Sequence, residues 1–196
     1  MTICGFTMVG PLINLFYLSA NISFNQLSLI EISGLIVLVI LEVPTGVISD
    51  ILGRKLSLFI GCILMGVEFL MIAFGYNFSV FILAALIGGI GITLESGADE
   101  ALLYDTLKKL KREDEFQKII GQCNAMFKVS AACAGILWGY IYETDKTYVF
   151  YFSGSILILM GLFSLTMHEP LAKKNCIKKK SMTLACKKFK QIALRI

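Results

Sequence analysis

The sequence predicts an all-α membrane protein with six transmembrane helices, on three observations. Apolar residues make up 57% of the 196-residue chain and charged residues only 16%, with a mean hydropathy of +0.78, a balance far from that of a soluble domain. The apolar residues gather into six runs, most of them near the ~20 residues that cross a ~30 Å hydrocarbon core. The basic residues fall between alternate runs, on one side of the expected bundle.

Taken in order, the apolar runs place helices at residues 3–18, 27–48, 56–76, 78–102, 119–140 and 149–167. The first is short: about 16 residues at 1.5 Å each reach only about 24 Å. Gly10–Pro11 is expected to kink it. The second ends at residues 42–55, E-V-P-T-G-V-I-S-D-I-L-G-R-K, around which the chain is organised. Gly46, Ser49, Asp50 and Gly53 recur at helical spacing on one face, small except for a single carboxylate. Gly53 permits a helix stop, and Arg54 and Lys55 put two positive charges at the membrane surface. The fourth helix carries G-G-I-G (Gly88 to Gly91), which in its apolar setting reads as a helix-packing face and not as a phosphate loop. The fifth carries a stripe of Gly121, Ala125, Lys128, Ala132, Gly135 and Gly139, read as a helix–helix contact face. After the sixth, a lysine-rich stretch leads to residues 181–196, where apolar and basic residues separate as on an interfacial amphipathic helix. The domain expectation is therefore a six-helix bundle over 1–170 and a basic amphipathic cytoplasmic linker over 171–196.

Orientation follows from lysine and arginine. Of 18 such residues, two lie between helices 2 and 3, five between helices 4 and 5, and nine after helix 6, against Lys146 alone on the opposite side. The positive-inside rule then puts the 2–3 loop, the 4–5 loop and both termini in the cytoplasm of a multi-pass cell-membrane protein. The net charge of +4 follows the membrane and is no sign of a nucleic-acid partner. Met1 has no basic n-region behind it, so no cleavable leader is expected. The six cysteines form no C-x-x-C pair and support neither a disulfide framework nor a zinc site.

The G-x-x-x-D-x-x-G-R-K pattern from Gly46 to Lys55 resembles the signature loop between the second and third helices of the major facilitator superfamily of secondary transporters. Two positions depart from it: Ile48 stands where Leu is common, and Ile51 where a basic residue is common. A second run, S-G-A-D-E-A-L-L-Y-D from Ser96 to Asp105, is similar to runs found with E-V-P-T-G in a bacterial branch of that superfamily. The resemblance implies the N-terminal six-helix half of a twelve-helix carrier, moving a small solute by alternating access around a midplane site. It also implies a gating role for Gly46, Asp50, Gly53, Arg54 and Lys55. Arg54 is then expected to pair with Asp99, Glu100 or Asp105 at the cytoplasmic end of helix 4. The arginine that the family often carries in the middle of helix 4 is absent from residues 80–93, and helix 5 has no proline–glycine signature, so proton-driven export is not implied.

Ionisable residues inside spanning helices are costly and are candidates for function. Glu42, Glu95 and Lys128 fall at similar depths, so Lys128 is expected to be held by Glu95 first and Glu42 second, as a structural pair or as part of a substrate or proton site. Glu68 reads as a packing or snorkelling residue, and Glu31, near the outer end, as partly solvated. No nucleophile elbow, metal spacing or nucleotide loop points to an enzyme, a metal or a cofactor. The expected partners are the lipid bilayer, a small-molecule substrate, and a C-terminal six-helix half or a second copy. The alternatives to a carrier half are a non-transporting truncated remnant and a six-helix scaffold or self-pairing half-transporter.

Overall fold

The computed structural model describes residues 10–166, and these are helical throughout except for short turns. Six α-helices follow in order: α1 (Gly10–Ser19), α2 (Phe24–Leu52), α3 (Arg54–Phe74), α4 (Phe78–Lys109), α5 (Phe116–Thr144) and α6 (Tyr148–Ser164). Four of the helical stretches, α2, α3, α4 and the span from Glu113 through α5, are long and apolar enough to cross a membrane. The apolar α6 has 17 residues, and ten residues of α1 are described. The beginning of the expected first helix, the last turn of the sixth and the amphipathic linker lie outside the described residues, and the Gly10–Pro11 kink falls at their edge.

The helix ends differ from expectation, and each difference has a local cause. A capping box starts α2 three residues early: Ser23 Oγ accepts from the Gln26 N–H, and Gln26 Oε1 accepts from the Ser23 N–H. At its other end α2 runs on to Leu52, and Gly53 alone separates it from α3. Gly53 has φ 102° and ψ 140°, a backbone state open to glycine and strained for other residues. Arg54 and Lys55 therefore form the first turn of α3, not a loop. The α4 helix continues seven residues beyond the expected end at 102, carrying Asp105, Lys108 and Lys109 on helix. It stops in a Schellman turn: Lys111 adopts φ 56°, its N–H bonds to the Lys108 carbonyl, and the Arg112 N–H bonds to the Leu107 carbonyl. The same device, with Asn21 at φ 61°, closes α1.

The packing is a layer in which α4 lies between α2 and α3, with α6 on the far side of α3. Facing glycines set these crossings. A Cβ on Gly61 of α3 would stand 2.9 Å from the Gly91 carbonyl oxygen of α4, and one on Gly91 would stand 2.9 Å from that of Gly61. Gly66 and Gly154 bring α3 and α6 together in the same way, and Gly89 packs on the Gly34 carbonyl of α2. With lipid on the outside there is little hydrophobic gain from helix association, and close backbone approach is what makes the contacts strong. The α1 helix is held by aromatic rings: Phe16 meets Phe150 at 4.7 Å between centroids, and Tyr17 meets Phe81 at 4.8 Å. The α5 helix meets its neighbours near its ends, through Tyr104–Phe116 and Trp138–Phe152, and leaves much of its length uncovered.

Candidate functional site

The first cluster of chemical interest lies at the cytoplasmic end expected from the charge pattern. Because Gly53 turns the chain within a single residue, Arg54 opens α3 with its side chain aimed across the bundle. Its guanidinium Nη1 forms an ion pair with Asp105 and donates to the Ala101 carbonyl, both on α4. Its Nη2 lies 3.7 Å from Asp50 Oδ1 on α2. One planar cation thus ties the end of α2, the start of α3 and the extension of α4. The pairing depends on the added turns of α4, since Asp105 lies beyond the expected end of that helix. Glu100 is exposed in a shallow cleft beside Arg54, lined also by Ser96, Gly97 and Tyr104. Asp99 is half-buried, and Lys55 sits half-buried in the first turn of α3. On the small face of α2, Ser49 and Gly53 are buried, and Gly46 comes close to Gly97 of α4 while leaving open space on its own Cβ side. Asp50 is on the exposed part of that face.

The membrane-embedded charges are arranged otherwise than expected. Glu42 is exposed on α2, and Glu95 is half-buried on α4, its backbone packed under Gly61. Lys128 is exposed and makes no ion pair among the described residues. The expected pairing with Glu95 or Glu42 is not formed, because α5 touches the other helices near its ends and not along the lysine stripe. The stripe itself is uncovered: a Cβ on Gly121, Gly135 or Gly139 would meet nothing within 4 Å. It is no contact face among the described residues.

Glu68 of α3, half-buried, turns its carboxyl group toward α4. Its carboxyl group lies directly against Gly88 of α4, in the space a Cβ at 88 would occupy. The G-G-I-G run thus divides its work. Gly89 and Gly91 pack against the backbones of Gly34 and Gly61, while Gly88 clears room for a carboxyl group. Glu68 lines a cleft of about 540 Å³ between α1, α2, α3 and α4, shared with Asn14, Tyr17 and Glu31. The sequence reading of Glu68 as a packing or snorkelling residue rests on the peripheral place of its helix in the family that the chain resembles, and the position on α4 that it packs against is Gly88. The signal that was present lies in two small-residue faces, Gly61, Met65, Glu68 and Gly75 on α3 and Phe81, Gly88, Gly91 and Glu95 on α4. Laid antiparallel, they match the acid to a glycine.

Outside the spans, the hydroxyl and N–H of Thr147, at 2.7 and 2.9 Å, hold the Asp145 carboxylate below the usual range. At the head of the stretch from Glu113 through α5, the Arg112 guanidinium pairs with Glu115 at N–O distances of 2.7 and 2.5 Å.

Comparison with known proteins matches residues 1–195 to the family model described as Major Facilitator Superfamily. The chain is 26% identical over 167 residues to the Quinolone resistance protein NorA of Staphylococcus aureus, covering 85% of this chain and 42% of that protein. It is 27% identical over 124 residues to the Uncharacterized MFS-type transporter MJ1317 of Methanocaldococcus jannaschii, covering 63% of this chain and 30% of that protein. The chain thus spans less than half the length of these curated relatives.

Proposed function

The chain belongs to the Major Facilitator Superfamily, and from that membership we propose that it is a six-helix unit of a secondary transporter that carries a small solute across the cell membrane by alternating access. Its six helices span the membrane with both termini in the cytoplasm, as sixteen of the 18 basic residues indicate. A second six-helix unit, from a C-terminal half or a second copy, completes the pathway, and the uncovered Lys128 stripe of α5 faces it. The residues Gly46, Asp50, Gly53, Arg54 and Lys55 with Asp105 form the cytoplasmic gate, and Asp99 and Glu100 border it. Glu42, Glu95 and Lys128 lie along the route of the solute.

The observation that carries the reading is the Arg54 junction. A cation shared by three helix ends holds them together in one state, and its loss on opening biases the equilibrium by the difference in contact energy. Gating by a few exchanging ion pairs also fits rigid-body rocking of whole bundles.

The test is solute flux into vesicles that hold the gene's product as the cell makes it. The panel of small solutes includes a quinolone, since that solute appears in the name of the Staphylococcus aureus relative. Asp50→Asn is expected to cut flux severely with little change in the amount of folded protein, and Arg54→Gln to cut flux severely per folded molecule. Wild-type flux in both variants would leave the stretch an ordinary cytoplasmic turn. Labelling of single cysteines placed at Asn77 or Thr144 from outside the cell checks the orientation, and labelling of Cys176 from that side would reverse it.

A further inference from the structure

The cleft between α1, α2, α3 and α4 has a composition suited to one class of ligand. Four polar side chains converge on about 540 Å³: Asn14, Tyr17, Glu31 and Glu68. The remaining wall is aliphatic, with Ile30, Leu35 and Ile92 among its residues, and no basic side chain lines it among the described residues. Two of the polar groups are buried with hydrogen-bonding capacity unused. Asn14 Oδ1 is buried without a partner. Tyr17 is 2% exposed with its ring held against Phe81, and its hydroxyl makes no hydrogen bond among the described residues.

Glu68 is admitted to the cleft by Gly88, where any side chain would collide with the carboxyl group. Such an arrangement is unfavourable unless something balances the acid. A buried polar group without a partner costs free energy, and a carboxylate in an apolar setting needs a proton or a cation. The buried atom left without a partner among the described residues is an amide oxygen, Asn14 Oδ1. An anion would be repelled by the acids when ionised, and a neutral acceptor could take the Tyr17 hydroxyl and the Asn14 amide N–H but would leave both acids without a counter-charge. A bare inorganic cation would leave most of the volume and its aliphatic wall unfilled. A positively charged N–H group on an apolar body meets every requirement: charge for the acids, a donor for Asn14 Oδ1, and hydrocarbon for the walls.

We propose that this cleft binds an organic ammonium ion, its head held by Glu31, Glu68 and Asn14 and its apolar body lying along the aliphatic walls. The site is built from four helices of this chain alone and needs no residue from a second bundle. It rests on the carrier reading only in naming the solute class. Binding is measured without transport, so the failure of either reading leaves the other standing.

The experiment uses the full 196-residue chain in lipid nanodiscs and two probes of nearly equal shape, 4-phenylbutylammonium and 4-phenylbutanol, in equilibrium dialysis. The ammonium is expected to bind saturably and at least about tenfold more tightly than the alcohol, as a charge-assisted contact requires. Glu68→Gln should weaken the ammonium about tenfold or more and leave the alcohol unchanged, while Glu143→Gln, in an exposed acid at the end of α5, should change neither. Modification of Glu68 by a hydrophobic carbodiimide, located by peptide mapping in the wild-type chain, should be slowed by the ammonium and not by the alcohol. That measurement needs no variant to fold. Absence of saturable ammonium binding, equal affinity for the two probes, or unprotected Glu68 would each overturn the proposal.

Discussion

Replacing Gly61 by alanine adds one methyl group at the closest crossing in the bundle. The new Cβ would stand 2.9 Å from the Gly91 carbonyl oxygen, 3.0 Å from the Glu95 nitrogen and 3.2 Å from the Glu95 Cβ. Two of these neighbours are backbone atoms of α4 and cannot rotate away. Reaching an ordinary 3.4 Å contact requires α3 and α4 to part by about 0.5 Å at this point. A gap of that size forfeits about a quarter of the dispersion energy of each affected contact. Overpacking of this kind costs about 1–3 kcal/mol, against a gain of about 0.5–1 kcal/mol from removing a mid-helix glycine. Net destabilisation of about 1–2 kcal/mol is expected. Gly135→Ala on α5 is the matched control, since its Cβ meets nothing within 4 Å and only the helix-propensity gain remains. The propensity gain is common to both variants, so they should differ by the overpacking cost alone, about 1–3 kcal/mol. Reversible unfolding in mixed micelles titrated with dodecyl sulfate, followed by far-ultraviolet circular dichroism, measures the difference. Equal stability of the two variants would show that glycine contact does not hold α3 to α4.

Gly53→Ala puts a Cβ on a residue at φ 102° and is expected to cost about 1–3 kcal/mol in the same assay, with stability unchanged as the refuting outcome. Arg54→Gln and Asp105→Asn should each destabilise by about 1–2 kcal/mol, and the double variant by less than their sum, because the pair is only partly screened by water. Strict additivity would mean that the two side chains do not act together. Asp145 is held below the ordinary aspartate range by Thr147, so its contribution at the start of α6 is complete above about pH 4 and fades as the pH falls through its lowered value. Protection of the Thr147 amide, taken as its exchange rate relative to the intrinsic rate at each pH, should fall at acid pH in the wild type, whereas in Asp145→Asn it should be low at neutral pH already; wild-type protection in the variant would remove the turn from consideration.

Much of this architecture was legible without coordinates. Apolar runs of spanning length gave the helices their approximate places, since a backbone in lipid must satisfy its own hydrogen bonds. The helix ends were less legible, because they turn on local chemistry that hydropathy does not register. The Ser23–Gln26 capping box lengthens α2, and the left-handed Lys111 lets α4 run far enough for Asp105 to meet Arg54. The motif stretch marked Arg54 as the residue to watch, but only the one-residue turn at Gly53 shows why its side chain points across the bundle.

The sequence by itself determined the all-helical membrane class, the family signature from Gly46 to Lys55 and the small-residue face of each helix, because composition and helical spacing are properties of one segment at a time. Only the tertiary structure decided which faces meet. Gly61 pairs with Gly91, Gly66 with Gly154, Glu68 lies over Gly88, and the stripe bearing Lys128 is uncovered. The physical reason is that many helix faces are equally apolar in a lipid setting, and the choice among them depends on where two backbones can approach most closely. That is a property of pairs of helices, and it is why the contact of Glu68 with Gly88 appears only when α3 and α4 are laid together.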